Sequence, residues 1–159
     1  MRRLYSIVVI ALTILIAIAL FSCRKGSEEE TIRNVITEIQ TAAEEKDTST
    51  IMIHVSENYN DPQGMTYDSL KKLLRGYFLV YPRVSVYLNY LQVTVADSSA
   101  SATFQALLTS GQNKGSITDV IPHSLGVYRF DVSLEKQSGK WKIVSANWES
   151  VNGDSDAGG

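Results

Sequence analysis

The sequence has few of the side chains from which disulfides and metal sites are built. Its 159 residues include one cysteine and two histidines, and we expect His54 on a short helix and His123 in a polar loop. One cysteine excludes a disulfide within the chain, and two histidines leave few ligands for a metal ion. There is also no G-x-S-x-G nucleophile motif, no phosphate-binding glycine loop and no zinc-ligand spacing. We therefore predict no metal and no cofactor.

Basic residues are too few for a typical nucleic-acid-binding protein. The chain has 15 Lys and Arg against 17 Asp and Glu, which gives a formal net charge of −2. Arg2 and Arg3 precede every acidic residue, so the rest of the chain is more acidic than the whole. Nucleic-acid-binding domains usually present a basic patch. The composition therefore argues against a nucleic-acid partner.

The chain has one long apolar run, and it lies near the N-terminus. Residues 7–21 are apolar with a single exception and follow a short basic start. This length suits the apolar part of a secretion signal, whereas a membrane-spanning helix needs about 20 residues. The run ends in Leu20-Phe21-Ser22-Cys23, which resembles the lipobox of bacterial lipoproteins.

The lipobox resemblance implies that residues 1–22 are a cleaved signal peptide and that the Cys23 thiol carries a diacylglyceryl group. A thiolate is the nucleophile that this attachment needs. Residues 23–30 would then hold the domain close to a membrane, facing the periplasm or the exterior. Arg24 stands where an aspartate would resemble an inner-membrane retention signal, which favours the outer membrane. The alternative is an uncleaved single-span anchor that carries the same exported domain.

Three segments after this tether have the pattern of helices. In the first, apolar residues recur at helical spacing: Ile32, Val35, Ile36, Ile39, Ala42 and Ala43. Ser27 and Glu30 have the spacing of a capping box at its start. A second, shorter helix covers residues 49–57, and a third begins at Thr66 and stops before Pro82.

The second half of the chain changes to the period of β-strands. Residues 84–95 are β-branched and aromatic on both faces, while residues 101–108 and 127–135 alternate apolar and polar side chains. A glycine-containing turn leads into a fourth strand at residues 140–150, and residues 151–159 are predicted to be a disordered tail. This order predicts an α+β fold with three N-terminal helices packed on a curved antiparallel sheet.

The order of these elements resembles the nuclear transport factor 2-like superfamily. Its cystatin-like α+β cone also carries ketosteroid isomerase, polyketide cyclases and many binding modules. The resemblance covers residues 31–150, and its best-matched segments are SENYNDPQG at 56–64 and GKWKIVSANWE at 139–149. It implies the fold of the domain, and a fold of this kind does not determine the chemistry.

The resemblance to ketosteroid isomerases makes Asp61 a candidate general base, because their catalytic aspartate lies in a matching Asp-Pro-x-Gly stretch. Proton abstraction beside a carbonyl needs a carboxylate in an apolar cavity and an oxyanion donor facing it. The position expected for the family's tyrosine falls near Ile36 and Thr37, and residues 101–108 contain no aspartic acid as a second donor. The other interpretation of Asp61 is a turn aspartate that accepts hydrogen bonds from nearby backbone N–H groups.

Aromatic residues supply most candidates for a ligand pocket. We predict that Tyr59, Asp61, Tyr77 and Trp148 contribute to it. Other aromatic residues that can furnish the pocket are Tyr81, Tyr87, Tyr90 and Trp141. The same spacing is also typical of core residues, so these positions have a second interpretation.

Taken together, these features predict a membrane-anchored lipoprotein whose domain binds and does not catalyse. The bound species is a small apolar ligand or an envelope protein, and the face of the sheet can mediate a homodimer. The alternative is a small-molecule isomerase or cyclase that uses Asp61 as its general base.

Overall fold

Three helices and four strands make up the part of the chain that the computed structural model describes, residues 26–81, 83–110 and 123–151. The helices are α1 (residues 26–44), α2 (Thr48–Ile53) and α3 (Tyr67–Val80). The strands are β1 (Ser85–Ala96), β2 (Ser99–Ser110), β3 (His123–Gln137) and β4 (Lys140–Ser150). The predicted signal peptide, Cys23 and all but the first residue of the predicted tail lie outside these ranges. None of the described helices is long and apolar enough to cross a membrane.

The strands form one antiparallel sheet in the order β1-β2-β3-β4. The register shifts once in each strand pair, between Asn89 and Gln92, between Leu108 and Thr109, and between Ser133 and Leu134. In the first of these, Tyr90 has a φ of 57°, a left-handed conformation. Bulges of this kind bend a strand and increase its twist. The predicted α+β fold, with helices on a curved antiparallel sheet, is confirmed.

Both central strands are longer than the alternating pattern predicts. β2 extends to Ser110, and β3 begins at His123, which pairs with Ser110 across the ladder. The prediction that His123 lies in a loop was therefore wrong. The loop was predicted from polar and glycine residues, and strand pairing can extend through such residues because it uses backbone groups. Residues 111–122 lie outside the described part of the chain.

The hydrophobic core lies between α1 and the concave face of the sheet. From α1 it includes Ile32 and Ile36, and Met52, Val55 and Tyr59 join it from α2 and the segment after it. The sheet contributes Val95, Ala100, Ala102, Val132, Leu134, Trp141 and Ile143. These residues confirm the apolar stripe predicted for the first helix and the inward face predicted for the second and third strands.

Polar side chains of α1 cover the free edge of β1. Gln40 Nε2 donates to the Val86 carbonyl at 2.6 Å, and the Val86 N–H donates to Glu44 Oε1 at 2.9 Å. Further along, Arg33 Nη1 donates to the Leu91 carbonyl at 3.0 Å. Unpaired backbone groups on an edge strand invite pairing with other chains. The helix therefore satisfies part of this edge and also fixes its own position against the sheet.

The start of α1 is fixed to β3 and β4, at the other end of the sheet from β1. Residues 26–30, which the sequence assigned to a tether, are helical, and Ser27 lies inside the helix, where it is no cap. Glu28 accepts hydrogen bonds from Lys136 Nζ at 2.5 Å and from Trp141 Nε1 at 2.7 Å. The capping-box prediction was therefore wrong. The contacts of Glu28 join residues 108 or more positions apart and stabilise helix at residues where a local pattern predicts its start.

Candidate functional site

An apolar cavity of about 280 Å³ lies between the helices and the concave face of the sheet. The helices contribute Ile36, Ile39, Ala43, Ile51, Leu70 and Leu74 to its lining. The sheet contributes Val86, Leu88, Phe104, Ala106, Leu108 and Phe130. The volume lies just below the range of about 300–1,000 Å³ that is typical of ligand pockets. A small apolar molecule therefore fits the size and the lining of this space.

A row of three aromatic rings crosses the sheet at the cavity. Phe104, Phe130 and Trp148 stand opposite one another on β2, β3 and β4. The Phe104 and Phe130 rings are stacked with centroids 5.1 Å apart, and Phe130 and Trp148 are tilted at 6.4 Å. Such pairs stabilise a sheet by about 0.5–1.5 kcal/mol beyond the burial of their area. The row therefore gives the cavity a rigid aromatic floor.

Helix α3 forms the wall of the cavity that is held least firmly. Leu70, Leu74, Tyr77 and Phe78 line the cavity, yet no residue of α3 is buried. Tyr77 is 45% exposed, and its ring lies 5.4 Å from that of Tyr81, just beyond the helix. A residue that both lines the cavity and meets solvent marks the opening. The mouth of the cavity therefore lies along α3.

The described lining of the cavity is almost entirely apolar. Among the described residues that line it there is no Asp, Glu, His, Lys, Arg or Cys. The amide of Gln40, which lines it, is already bonded to the Val86 carbonyl. The hydroxyl of Tyr59, another lining residue, donates to Asp61. These two polar side chains are therefore committed to the protein's own structure.

Asp61 is buried, 4% exposed, and lies behind Tyr59 outside the described lining of the cavity. Its Oδ1 accepts the backbone N–H groups of Gln63 at 3.0 Å and Met65 at 2.8 Å. Its Oδ2 accepts the Tyr59 hydroxyl at 3.1 Å. The Gly64 N–H donates to the Asp61 carbonyl at 2.9 Å and closes the turn. The contacts of Oδ1 and of the Asp61 carbonyl are those of a turn aspartate, and Tyr59 occupies Oδ2.

The neighbourhood of Asp61 keeps the Tyr59 hydroxyl protonated. Burial raises the pKa of Tyr59 above its ordinary value of 10.0, and the charge of Asp61 and the hydrogen bond to it raise the pKa further. A hydrogen bond with the backbone of Ala146 acts in the opposite direction and is the smallest of these effects. Tyr59 therefore remains a hydrogen-bond donor throughout the neutral range.

The structure brings three of the four predicted pocket residues together. Tyr59, Tyr77 and Trp148 line the cavity, and Asp61 does not. Among the additional aromatic candidates, two are exposed on β1 and one is buried in the core, where it contacts Glu28: Tyr87 (54%), Tyr90 (78%) and Trp141 (3%). Sequence reasoning did not propose Phe104 and Phe130 as pocket residues. Their alternation on the inward face was the signal that could have identified them.

His54 lies close to an acidic side chain of α1, and His123 pairs with Ser110 at the start of β3. His54, the C-terminal cap of α2, is mostly buried, and its Nε2 lies 3.1 Å from Glu38 Oε2. The two atoms are close enough for an ion pair, although their angle is not that of a hydrogen bond. Within the residues that the structure describes, no three or more His, Cys, Asp or Glu side chains are grouped to hold a metal ion.

The fold is similar to that of several solved structures. A Streptomyces avermitilis protein, named as a candidate dehydratase of the nuclear transport factor 2-like family, matches with a TM-score of 0.69 and 12% identity over 80% of this chain and 99% of that chain. A nuclear transport factor 2-like protein with a cystatin-like fold from Novosphingobium aromaticivorans matches with a TM-score of 0.66 and 16% identity. That match covers 87% of this chain and 89% of the other chain. A Bdellovibrio bacteriovorus protein matches with 0.65 and 13% over 78% of this chain but 41% of that chain, so this chain spans less than half of that protein.

These likenesses define the class of fold. No protein-family model matches the sequence, and no curated protein matches it. At identities of 12–16% the solved structures carry information about the fold alone. The domain has the cystatin-like, nuclear transport factor 2-like cone fold, as the sequence resemblance implied. Its activity has to be argued from the cavity.

Proposed function

We propose that this chain is a membrane-anchored lipoprotein, acylated at Cys23, whose domain binds a small apolar ligand. The observation that supports binding is the cavity of about 280 Å³, whose described lining has no acidic or basic residue. Burial of apolar surface contributes about 25 cal/mol per Å². A neutral ligand that fills this space gains that energy without the desolvation of a charge.

The cavity also favours binding over catalysis. The isomerase or cyclase alternative needs a carboxylate that faces the substrate. Asp61 is held by two backbone N–H groups and by Tyr59, and it lies outside the described lining. The geometry therefore supports the turn interpretation of Asp61. The proposed role is that of a non-catalytic ligand carrier or sensor.

The proposed location is the cell envelope, with the outer membrane favoured by Arg24. The acylated chain would begin at Cys23 and enter helix α1 within three residues, because residue 26 is already helical. Intact mass measurement of the extracted protein tests this. The expected species starts at Cys23 and carries acyl groups, and the matched variant Cys23→Ser carries none. A wild-type chain that keeps residues 1–22 without acyl mass would contradict the proposal.

Native mass spectrometry of detergent-extracted protein tests the ligand. The wild type is expected to carry a bound small molecule. Ala106→Phe fills the cavity, since Ala106 is 2% exposed and lines it, and should release that molecule. Gln105→Phe is the control, because Gln105 is next to Ala106 on β2 and its side chain therefore points to the opposite face of the sheet. Equal ligand occupancy in both variants would place the ligand elsewhere and refute the assignment of the cavity.

The second predicted binding partner of this domain is an envelope protein. A homodimer through the face of the sheet also stays a prediction. The outer sheet face carries exposed polar side chains, including an ion pair between Arg129 and Glu149 at 3.7 Å. The same native mass spectra read the oligomeric state. A strictly monomeric mass at high protein concentration would contradict the dimer and leave the ligand test unaffected.

A further inference from the structure

The outer surface of α3 combines positive charge with exposed apolar side chains. We define it by Lys71, Lys72, Arg75, Leu79 and Val80. Leu79 is 86% exposed and Val80 is 70% exposed, the first and third highest values among the large apolar side chains of the described residues that are exposed. Lys72, Arg75 and Leu79 follow a helical spacing that places them on the side opposite the cavity-lining residues of the same helix. Leu79 and Val80 are adjacent at the C-terminal end of α3, so the exposed apolar side chains lie beside the basic ones.

The charge of this surface differs in sign from that of the whole chain. Residues 66–84 contain Lys71, Lys72, Arg75 and Arg83 but one acidic residue, Asp68, whereas the complete chain has a net charge of −2. Within the described residues, no ion pair involves any of these four basic side chains. Their charge is therefore available to an external anion. Basic side chains near an anionic membrane surface strengthen attachment by about 1 kcal/mol each.

The position of this surface connects it with the cavity. Its helix is the cavity wall that has no buried residue, and Tyr77 at the mouth is 45% exposed. We propose that the outer surface of α3 docks on an anionic lipid bilayer, with the basic side chains at the headgroups and Leu79 and Val80 in the interfacial layer. This inference deepens the proposed function and rests on it for the origin of the ligand, an apolar molecule drawn from that bilayer.

A bilayer matches this surface better than an acidic protein does. The headgroup region of an anionic bilayer offers negative charge, and the acyl layer beneath it accepts exposed leucine and valine side chains. Both features lie on one helix, α3, whose other side lines the cavity. An acidic protein would satisfy the charge but would offer no apolar layer to Leu79 and Val80.

The docking is tested with a tryptophan placed on the surface. The full-length chain carrying Leu79→Trp is reconstituted into phosphatidylcholine vesicles with brominated acyl chains, with or without phosphatidylglycerol. Wild-type protein supplies the background of its two native tryptophans. We expect additional quenching in the anionic vesicles, little in the neutral vesicles, and a decrease when salt is added. Val80→Trp repeats the measurement at a second position.

Charge reversal supplies the matched comparison. Lys72→Glu with Arg75→Glu should abolish the additional quenching, because each basic residue strengthens attachment about fivefold and the reversal adds repulsion. Lys46→Glu with Lys140→Glu changes the net charge equally at exposed positions outside α3 and should leave it intact. Absence of quenching in anionic vesicles, as expected if the partner is an acidic protein, would overturn the proposal. Equal loss in both double variants would overturn it too.

These results are separable from those on the proposed function. Quenching reports where α3 lies and needs no ligand in the cavity, whereas native mass spectrometry of Ala106→Phe reports the ligand. If α3 docks on the bilayer and the protein carries no ligand, the binding role alone is refuted. If the protein carries a ligand and α3 stays away from the bilayer, the docking alone is refuted.

Discussion

The hydrogen bonds around Asp61 lead to a quantitative test of whether this carboxylate holds a turn or performs chemistry. Asp61→Ala leaves three donors without their acceptor: the N–H groups of Gln63 and Met65 and the buried hydroxyl of Tyr59. The two N–H groups lie near solvent and lose about 1 kcal/mol each, and an orphaned buried hydroxyl costs about 1–3 kcal/mol. We expect a loss of about 3–5 kcal/mol in the free energy of unfolding.

Asp61→Asn separates the two parts of this sum. The asparagine Oδ1 still accepts both backbone N–H groups, but the NH₂ group that replaces Oδ2 cannot accept the Tyr59 hydroxyl and can only donate to its oxygen. The expected loss is about 1–2 kcal/mol. Combining Asp61→Ala with Tyr59→Phe completes a double-mutant cycle, and the coupling between the two side chains should be about 1–2 kcal/mol. Asp131→Ala, at an exposed position on β3, is the control and should change stability by less than about 0.5 kcal/mol.

Urea unfolding of the detergent-solubilised chain, followed by tryptophan fluorescence, measures these values. Interpretation requires an unchanged dependence of the free energy on urea concentration, because a changed slope indicates a different folded or unfolded state. A loss below about 1 kcal/mol for Asp61→Ala would refute the reasoning, since a carboxylate that can be removed so cheaply does not carry three structural hydrogen bonds. Asp61 would then become available again as a general base.

Three further predictions concern other parts of the domain. Gly126 has a φ of 126°, and a Cβ added there would lie 3.0 Å from the Tyr128 ring, so Gly126→Ala should destabilise the fold by about 1–3 kcal/mol. Gly76 on α3 has open space around it, so Gly76→Ala should stabilise the fold by about 0.5–1 kcal/mol. Equal effects of the two substitutions in urea unfolding would contradict this. Glu28→Gln should speed amide hydrogen exchange at the start of α1, because it removes the charge that Lys136 contacts, and unchanged exchange would show that the contact is not needed. The loss of unfolding free energy in Tyr59→Phe should be largest below pH 10.0 and should shrink above it. The raised pKa of Tyr59 means that the folded chain holds this proton more tightly than the unfolded chain does. The stability that Tyr59 contributes is therefore lost as the pH rises. A penalty that stays constant to alkaline pH would contradict the assignment.

Sequence periodicity predicted the elements of this fold because the elements are set by local patterns. Alternation on β2 and β3 identified inward-facing residues such as Phe104 and Phe130, although their role in a pocket depended on where the helices pass. The contact of Glu28 with Trp141 spans 113 positions, and a local pattern carries no information about it. The bulge at Tyr90 was also missed, since a residue with β propensity adopts a left-handed conformation there.

The candidate site was harder to predict because a cavity is a property of spacing between elements. Tyr77 and Trp148 were identified as aromatic residues on suitable faces, and the structure places both at the cavity. Tyr87 is also aromatic but is exposed, because it alternates with Val86 and Leu88, which face the cavity. The Asp-Pro-x-Gly sequence around Asp61 has the same letters whether the carboxylate faces a substrate or its own turn. The hydrogen bonds that Gln63, Met65 and Tyr59 donate to the carboxylate separate these interpretations.

The turn at Asp61 and the loosely packed α3 form one mechanical unit. Asp61 Oδ1 accepts the Met65 N–H immediately before Thr66, the N-cap of α3, so the turn determines where the helix begins. Because no residue of α3 is buried, the helix depends on its ends and on its cavity-lining side chains for its position. Movement of such a helix loses less packing than movement of α1, whose Ile32 and Ile36 are fully enclosed in the core. Asp61 therefore fixes the start of this wall of the cavity, while the pairing of β2, β3 and β4 holds the aromatic floor.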